Sequence, residues 1–315
     1  MKSEPSYIDL YKNGEFEKRR KYLWSKLSSC TLCPRECKVN RLEGELGFCE
    51  GEKNVHVSSF GPHFGEEEPL VGFGGSGTIF FTHCNLGCIF CQNYNISHLK
   101  EGNEYSFHDV AQMMLSLQKT GCHNINLVTP TQYVPQIIES LKIAIELGLN
   151  LPIVYNCGGY ESTDVIEKLD GIIDIYMPDA KFGDNDIAEK YTGAKNYVNH
   201  LEATLIEMQR QVGVLEINNK GLAKRGILIR HLIMPNNIAG SEKVLKFIAE
   251  KISKDSFVNI MSQYRPSYKA NEYPELAQRI TSNDMVNVLE VAKDLGLQRS
   301  FIYSSKYINN LLNVK

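Results

Sequence analysis

The stretch GTIFFTHCNLGCIFCQNYNIS, residues 77–97, places three cysteines directly after a short run of β-forming residues. The run Thr78–Thr82 predicts a strand, and Cys84, Cys88 and Cys91 follow it with the spacing C-x3-C-x2-C. Loops at the carboxyl ends of strands are where α/β barrels build their functional sites. The stretch therefore predicts a thiolate-lined site at the mouth of an α/β sheet or barrel.

The rest of the chain alternates between strand-like and helix-like segments. This alternation predicts an α/β fold with a parallel sheet and helical crossovers, either doubly wound or an open or closed barrel. No glycine-rich phosphate loop links a strand to a helix, because Gly72–Gly77 precedes Thr78. The predicted strands are residues 78–82, 124–129, 152–156, 172–177, 226–234 and 257–262, with a short final strand at 301–303.

The composition is that of an ordinary globular protein. Of the 315 residues, 43% are hydrophobic and 23% are charged, and the formal net charge of −3 gives no electrostatic case for nucleic acid or an anionic membrane. No segment approaches the roughly 20 apolar residues of a membrane span, and the polar start does not resemble a signal peptide. We therefore expect a cytoplasmic protein without a membrane partner.

Seven of the nine cysteines fall in two tight clusters, which in a cytoplasmic chain indicates metal ligands more than disulfides. The first cluster has the spacing C-x2-C-x3-C-x11-C and comprises Cys30, Cys33, Cys37 and Cys49. Four thiolates satisfy a closed zinc site, which we favour, or a second iron–sulfur cluster. Residues 1–77 are thus expected to form a helical and cysteine-rich segment with a metal knuckle, and residues 78–315 the barrel.

The three cysteines of the second cluster suit a four-iron cluster with one open iron. Such clusters normally take four thiolates, so three leave one iron free to coordinate a cofactor or substrate. The alternative is a structural zinc loop that takes its fourth ligand from His83 or His98. The preceding strand and the barrel pattern behind the loop favour the iron–sulfur cluster.

The loop resembles that of the radical S-adenosylmethionine (SAM) enzymes, which carry C-x3-C-x-aromatic-C after the first strand of a partial barrel. Cys84, Cys88, Phe90 and Cys91 match this motif. The stretch is similar to pyruvate formate-lyase activating enzymes, and still more to activating-enzyme-like proteins with an extra N-terminal cysteine segment and a QYRP element, here Gln263–Pro266. The resemblance implies a partial (β/α)6 barrel of the radical SAM type with an N-terminal cysteine-rich extension.

The resemblance also implies a chemistry. In this family a [4Fe–4S] cluster cleaves SAM reductively, and the resulting 5′-deoxyadenosyl radical abstracts a hydrogen atom. In activating enzymes that atom comes from a backbone glycine of a partner enzyme. The implied partners are a protein substrate and a one-electron donor of the flavodoxin or ferredoxin type, and the implied working conditions are anaerobic.

Cofactor-binding residues are implied at the ends of the later strands. Where the family has Gly-Gly-Glu after its second strand, this chain has Thr129 and Thr131, whose hydroxyls and carbonyls would have to replace the carboxylate. Asn156 follows the third strand and is expected to bond the ribose or methionine part of SAM. Asp179 and Lys181 resemble the Asp-Leu-Lys element of activating enzymes and should point into the barrel mouth.

Candidates for substrate contact come from the fifth and sixth strands. Arg230 and His231 are adjacent on a strand and face opposite sides, so only one can face the interior; His231 is the residue assigned to the substrate. Arg265 in the QYRP element is expected to bind an anionic group. A cofactor-contacting histidine of activating enzymes aligns with Tyr197, which departs from that pattern.

Two other kinds of function remain open. One is a radical SAM enzyme that modifies a small molecule, a peptide or RNA, although the sequence has no aromatic-basic strip of the kind that binds RNA. The other is a non-catalytic iron–sulfur electron carrier or a zinc-binding interaction protein. The barrel pattern, with Asn156, Asp179 and Lys181 at strand ends, favours an enzyme.

Overall fold

A nine-stranded sheet organises the computed structural model, which describes residues 4–300. The strands are β1 (Val55–His63), β2 (Ser76–Phe81), β3 (Asn103–Tyr105), β4 (Ile125–Val128), β5 (Ile153–Cys157), β6 (Ile175–Pro178), β7 (Glu216–Ile217), β8 (Ala223–Leu232) and β9 (Phe257–Met261). Strands β2, β4, β5, β6, β8 and β9 pair in that order and run parallel. Strand β1 pairs antiparallel with β2 and β3, and β7 pairs antiparallel with β8.

Eleven α-helices accompany the sheet within the described residues. They are α1 (Ser6–Lys12), α2 (Glu15–Ser25), α3 (Glu68–Val71), α4 (Tyr94–Ser97), α5 (Phe107–Thr120), α6 (Val134–Glu146), α7 (Thr163–Lys168), α8 (Asn185–Thr192), α9 (Tyr197–Val212), α10 (Ser241–Phe247) and α11 (Ser282–Asp294). Helices α1 and α2 precede all strands, α3 packs into the barrel interior, and the longer later helices connect the parallel strands and cover the outer face. None of the helices within residues 4–300 is long and apolar enough to cross a membrane.

The six parallel strands are those that the sequence predicts between residues 78 and 262, so the α/β fold with a mostly parallel sheet is confirmed. The further strand predicted at 301–303 lies outside the described residues. Strand β1 is an addition, because the sequence predicts no strand before residue 78. Because β1 pairs with β2, the sheet extends across residue 77, where the sequence places the boundary between the N-terminal segment and the barrel.

The parallel strands enclose an interior that is separate from the core under the helices. Side chains alternate along a strand, so Val154 and Asn156 of β5 face the interior while Tyr155 faces the helices. The lower interior is an apolar cluster to which β5, β6, β8, β9 and α3 contribute Val154, Ile175, Met177, Leu228, Phe257 and Leu70. The barrel mouth lies above this cluster, at the carboxyl ends of the strands.

The segment before β2 packs into the barrel where β2 and β9 form no pairing within the described residues. Leu70 of α3 is fully buried in the interior cluster, and Asn124 donates from its side-chain amide to the Leu70 carbonyl at 2.8 Å. Asn259 of β9 donates to Glu67 Oε1 at 2.9 Å. The partial barrel is thereby filled on its open side by a segment that precedes its first parallel strand.

Candidate active site

The three cysteines of the loop after β2 line one cavity of about 240 Å³ at the barrel mouth. Main-chain hydrogen bonds fix the loop: Ile89 N–H donates to the Tyr191 carbonyl at 3.0 Å, and the His98 ring donates to the Cys88 carbonyl at 2.9 Å. Cys88 is buried, while Cys84 and Cys91 are partly buried. The sequence prediction that these thiols meet at the barrel mouth agrees with this placement.

The described cysteines include no three sulfur atoms that converge as closely as a preformed site for one zinc ion requires. Within residues 4–300, Glu52, His56 and Glu104 are the one set of three potential metal-binding residues whose ligand atoms all lie within 4.8 Å of one another. Every set of three cysteines therefore has at least one wider sulfur–sulfur separation. A tetrahedral zinc site with Zn–S bonds of about 2.3 Å would bring all its sulfurs to about 3.8 Å.

The thiols also carry hydrogen bonds and a burial cost that suit a bound cluster. The Leu86 N–H donates to Cys84 Sγ at 3.4 Å, and the Ser97 hydroxyl donates to Cys91 Sγ at 3.2 Å. Burial raises the pKa of the Cys84 thiol to about 11 and raises that of Cys88 further. Thiolates bind iron, so the positive charge of a metal is what would ionise these buried groups. The residues present thus fit a cluster held by three cysteines.

Phe90 lines the cavity and holds the loop against two other segments. It is buried, with its ring centroid 6.0 Å from that of Phe182 after β6 and 6.3 Å from that of Tyr264 in the QYRP element. The aromatic residue of the motif therefore packs the cysteine loop onto the carboxyl end of β6 and onto the loop after β9.

A network of charged side chains forms the wall opposite the cysteines. Arg230 of β8 donates from Nε to Asp179 Oδ1 and from Nη2 to Asn156 Oδ1, both at 2.7 Å. Lys181 Nζ forms an ion pair with the other oxygen of Asp179. All four residues line the cavity, because parallel strands bring their carboxyl ends to the same edge of the sheet.

The charges in this wall stabilise one another. Burial disfavours an ionised Asp179, but Arg230 and Lys181 outweigh it and lower the pKa of its carboxyl. Burial likewise opposes the charge on Lys181, whereas Asp179 and Cys88 raise its pKa. Arg230 is shared between Asp179 and the Glu66 carboxyl group, which lies 3.8 Å away. Lys181 pairs with Asp179 and is the cation of this wall best placed to attract an anionic group such as a carboxylate.

The two predicted threonines separate. Thr129 lines the cavity with a left-handed backbone at φ 58°, and its carbonyl accepts from the Gln132 side chain at 2.9 Å. Thr131 does not line the cavity, which corrects the prediction that both threonines face the cofactor. Its hydroxyl donates instead to Glu161 Oε1 at 2.9 Å, behind the wall, because a helical turn begins at Thr131 and turns its side chain away from the mouth.

His231 also faces away from the cavity, which corrects its assignment to the substrate. Its Nδ1–H donates to the Ala180 carbonyl at 2.6 Å, and its Nε2 accepts from the Ser241 hydroxyl at 2.8 Å. Burial lowers the pKa of His231 to about 4. The reason is strand alternation, which turns Arg230 inward and His231 toward the helices.

The remaining two predicted positions have different outcomes. Arg265 is exposed and does not line the cavity, so its contact with a substrate stays a prediction. Tyr197 lies beneath the loop after β6: its hydroxyl accepts from the Lys181 N–H and lies 3.0 Å from the Asp179 carbonyl. Tyr197 therefore positions Asp179 and Lys181 without lining the cavity itself.

Glu66 was missed as a site residue by sequence reasoning. Its carboxylate lies 3.8 Å from Arg230 Nη1 with only 9% of the side chain exposed, and burial raises its pKa. The sequence shows an acidic run beside a proline, which is typical of a solvated linker. Its burial follows from the packing of this segment into the open side of the barrel, for which the local sequence carries no signal.

Comparisons with known proteins relate the chain to a family, to one curated protein and to solved structures. The family model of the radical SAM superfamily matches residues 78–248. An uncharacterized protein of Methanocaldococcus jannaschii is 34% identical over 278 residues, which cover 85% of this chain and 75% of that protein. Among solved structures, methylornithine synthase (PylB) is 17% identical with a TM-score of 0.45, and HydG, a maturase of the [FeFe]-hydrogenase, is 13% identical with a TM-score of 0.43.

The solved structures are matched only in part. The matches cover 67% and 69% of this chain but 59% and 48% of PylB and HydG, so the chain spans less than two thirds of either. The family model, by contrast, starts at the strand that precedes the cysteine loop and extends through more than half of the chain. On this match, the chain belongs to the radical SAM superfamily.

Proposed function

We propose that this protein activates a partner enzyme by taking a hydrogen atom from a backbone glycine of that partner. Family membership supports the first half of the reaction, the reductive cleavage of SAM with an iron–sulfur cluster. Enzymes of this family need a one-electron reductant, and we propose a flavodoxin or ferredoxin in the reducing cytoplasm. When bound, the cluster and SAM supply the 5′-deoxyadenosyl radical that removes the hydrogen atom.

The residues of the cavity divide the binding work between its two sides. Cys84, Cys88 and Cys91 would hold the cluster on one side. On the other side, Lys181 is the cation near Cys88, and it would pair with the carboxylate of SAM while Asp179 keeps it charged. Asn156 and Arg230 complete this wall and would orient the rest of the cofactor.

The filled interior below the cavity is the observation that carries the proposal of a protein substrate. The cysteines and the charged wall line a cavity of about 240 Å³ that opens at the mouth. The barrel interior below is filled by buried side chains, among them Met177, Leu228 and Phe257. A small-molecule substrate would therefore have no separate chamber beneath SAM, and the atom attacked must be presented at the mouth.

The mouth is bordered by polar and aromatic side chains that suit an extended peptide. Gln92 donates to the Gln263 carbonyl at 3.0 Å across it. Beside this bridge, the ring of Tyr268 stacks on the rings of His98 and Tyr94, with centroid distances of 4.3 and 5.4 Å. A glycine-containing loop inserted here would meet amide groups and flat ring faces, with no bulky side chain of its own to fit.

The experiment is to look for a glycyl radical on a partner protein. The reconstituted chain, SAM and a reductant are incubated anaerobically with candidate glycyl-radical enzymes of the same host, and electron paramagnetic resonance is recorded. We expect a doublet radical signal on one partner that is absent with a Cys91→Ala variant and retained with Cys122→Ala, a buried cysteine outside the cavity. Formation of 5′-deoxyadenosine without a radical on any of these proteins would contradict the activating role.

A further inference from the structure

The N-terminal cysteines Cys30, Cys33, Cys37 and Cys49 surround one small cavity of about 10 Å³. The local fold brings them together: Cys30 N–H donates to the Val39 carbonyl at 2.9 Å, and Lys38 N–H donates to the Cys30 carbonyl at 3.0 Å. We call these four residues the cysteine quartet. The backbone of residues 30–49 folds so that all four thiols line the same cavity. This arrangement indicates a ligand site.

The surroundings of the quartet favour an anionic, thiolate-bound metal centre. The Phe48 N–H donates to Cys37 Sγ and the Gly51 N–H donates to Cys49 Sγ, both at 3.4 Å. Arg41 is 1% exposed and lines the cavity, and its Nε has no hydrogen-bond partner within the described residues. A buried cation with a free N–H beside four sulfurs would be stabilised by the negative charge of a thiolate-bound centre.

The sulfur atoms of the quartet are not arranged as a preformed site for a single zinc ion. Every set of three cysteines within residues 4–300 includes a sulfur pair more than 4.8 Å apart, whereas a four-thiolate zinc site needs every pair at about 3.8 Å. In iron–sulfur clusters the four thiolates are divided among two or four irons and are spread around an inorganic core. The cavity between the sulfurs is the space that such a core would occupy.

The quartet is built directly onto the catalytic loop. The Arg35 guanidinium donates from Nε to the Asn85 carbonyl at 2.9 Å and from Nη2 to the Leu86 carbonyl at 3.0 Å. Its centre lies 3.4 Å from the centroid of the Phe48 ring. That ring packs on Gly87, where an added Cβ would lie 2.8 Å from Phe48 Cζ.

The quartet and the three cysteines of the catalytic loop therefore lie side by side. On each side, a residue adjacent in the chain to a cysteine makes the contact between them. Asn85 lines the quartet cavity and is the neighbour of Cys84 in the chain. Phe48 lies beside Cys49 and touches Gly87, the neighbour of Cys88. We propose that the quartet binds an iron–sulfur cluster, and that this cluster passes electrons to the cluster of Cys84, Cys88 and Cys91.

The electron balance of this relay is simple. A low-potential one-electron donor protein reduces the quartet cluster and is itself oxidised by one electron. The quartet cluster then returns to its oxidised state by reducing the catalytic cluster, with no bond made or broken and no proton moved. This role rests on the proposed cleavage of SAM, whereas the identity of the metal in the quartet does not.

Metal analysis of a variant without the catalytic cluster tests the identity of the centre. The full chain with Cys84→Ala, Cys88→Ala and Cys91→Ala is purified anaerobically, and iron, sulfide and zinc are measured per chain. We expect iron and sulfide in equal amounts, about two or four of each, with an electron paramagnetic resonance signal after reduction. One zinc ion per chain, or no metal, would overturn the proposal, whatever the activity of the wild type.

A comparison of two reductants tests the relay. The rate of 5′-deoxyadenosine formation is measured with dithionite, a small reductant that can enter the cavity, and with reduced flavodoxin. We expect the flavodoxin-to-dithionite rate ratio of a Cys37→Ser variant to fall roughly tenfold or more below that of the wild type. The Cys122→Ser variant is the matched control, and an equal ratio in the two variants would overturn the relay; the ratio cancels any loss of folded protein.

Discussion

At the scale of single residues, Asp179, Lys181 and Arg230 set the polarity of the cavity wall opposite the cysteines. Removing one member of a buried ionic network leaves an unpaired charge, which typically costs about 3–5 kcal/mol. The three side chains come from the ends of adjacent strands, and Tyr197 fixes the loop that carries two of them. Their positions are therefore determined before any cofactor binds, as catalytic sites require.

Glu161, behind this wall, makes stability depend on pH. It is 1% exposed and accepts hydrogen bonds from Thr131 and Tyr155, yet burial raises its pKa from 4.5 to about 7. Between these values the folded protein holds a proton that the unfolded chain has released. The stability from the neutral carboxyl is therefore present at low pH and is lost as pH rises from 4.5 to about 7.

We expect Glu161→Gln to gain stability relative to the wild type as pH rises. The difference in the free energy of unfolding should shift in favour of the variant by about 3 kcal/mol between pH values below and above this window. Urea titrations at the two pH values measure it, and the low-pH comparison is the control because both side chains are then neutral. A difference that is the same at both pH values would contradict the account.

At the scale of elements, the strand ends decide which predictions about the site succeed. The apolar runs predict the six parallel strands, and the polar residues that end them, Asn156, Asp179 and Lys181, meet as expected. Thr131 and His231 fail for local geometric reasons, a helical turn and strand alternation. A shift of one residue along a strand moves a side chain from the cavity face to the opposite face. The sequence alone does not fix positions to that precision.

The turn after β5 shows how a glycine serves the site through packing. Gly159 has φ 78°, and an added Cβ would lie 2.3 Å from the Asp179 carbonyl oxygen. The backbone that approaches Gly159 so closely is the end of β6. This contact holds the β5 and β6 loops side by side at the mouth.

We expect Gly159→Ala to destabilise the protein well beyond the cost of its backbone conformation. A left-handed conformation costs an alanine about 1–2 kcal/mol, and the clash with the Asp179 carbonyl adds to that. Gly148→Ala is the matched control, since Gly148 has φ 94° with no atom within 4 Å of an added Cβ. Free energies of unfolding from denaturant titrations should fall further for the Gly159 variant, and equal losses would show that the clash is relieved at no cost.

At the scale of the whole molecule, the sequence predicts the barrel and the cysteine loop but not how the N-terminal segment closes around them. The strand pattern and the cysteine spacing are local signals. The burial of Glu66 against Arg230 and the contact of Arg35 with the catalytic loop join residues that are far apart in the chain. Such contacts depend on the packed fold, so single residues such as Arg35 show no pattern that would predict them.

The whole-molecule view also changes the interpretation of the quartet. Spacing alone favoured zinc, because four closely spaced thiols suit a closed tetrahedral site. The three-dimensional separation of the sulfurs and the contact with the catalytic loop favour an iron–sulfur cluster instead. The segment before residue 78 fills the open side of the barrel, and in the proposed relay it would also hold a second redox centre next to the mouth.

The central claim is that the cysteine loop supports reductive cleavage of SAM. The most direct measurement is chromatography of an anaerobic mixture of the iron-loaded chain, dithionite and SAM. We predict 5′-deoxyadenosine and methionine in equal amounts from the wild type and from Cys122→Ala, and neither product from Cys91→Ala. A chain with its full complement of iron that leaves SAM intact would contradict the account.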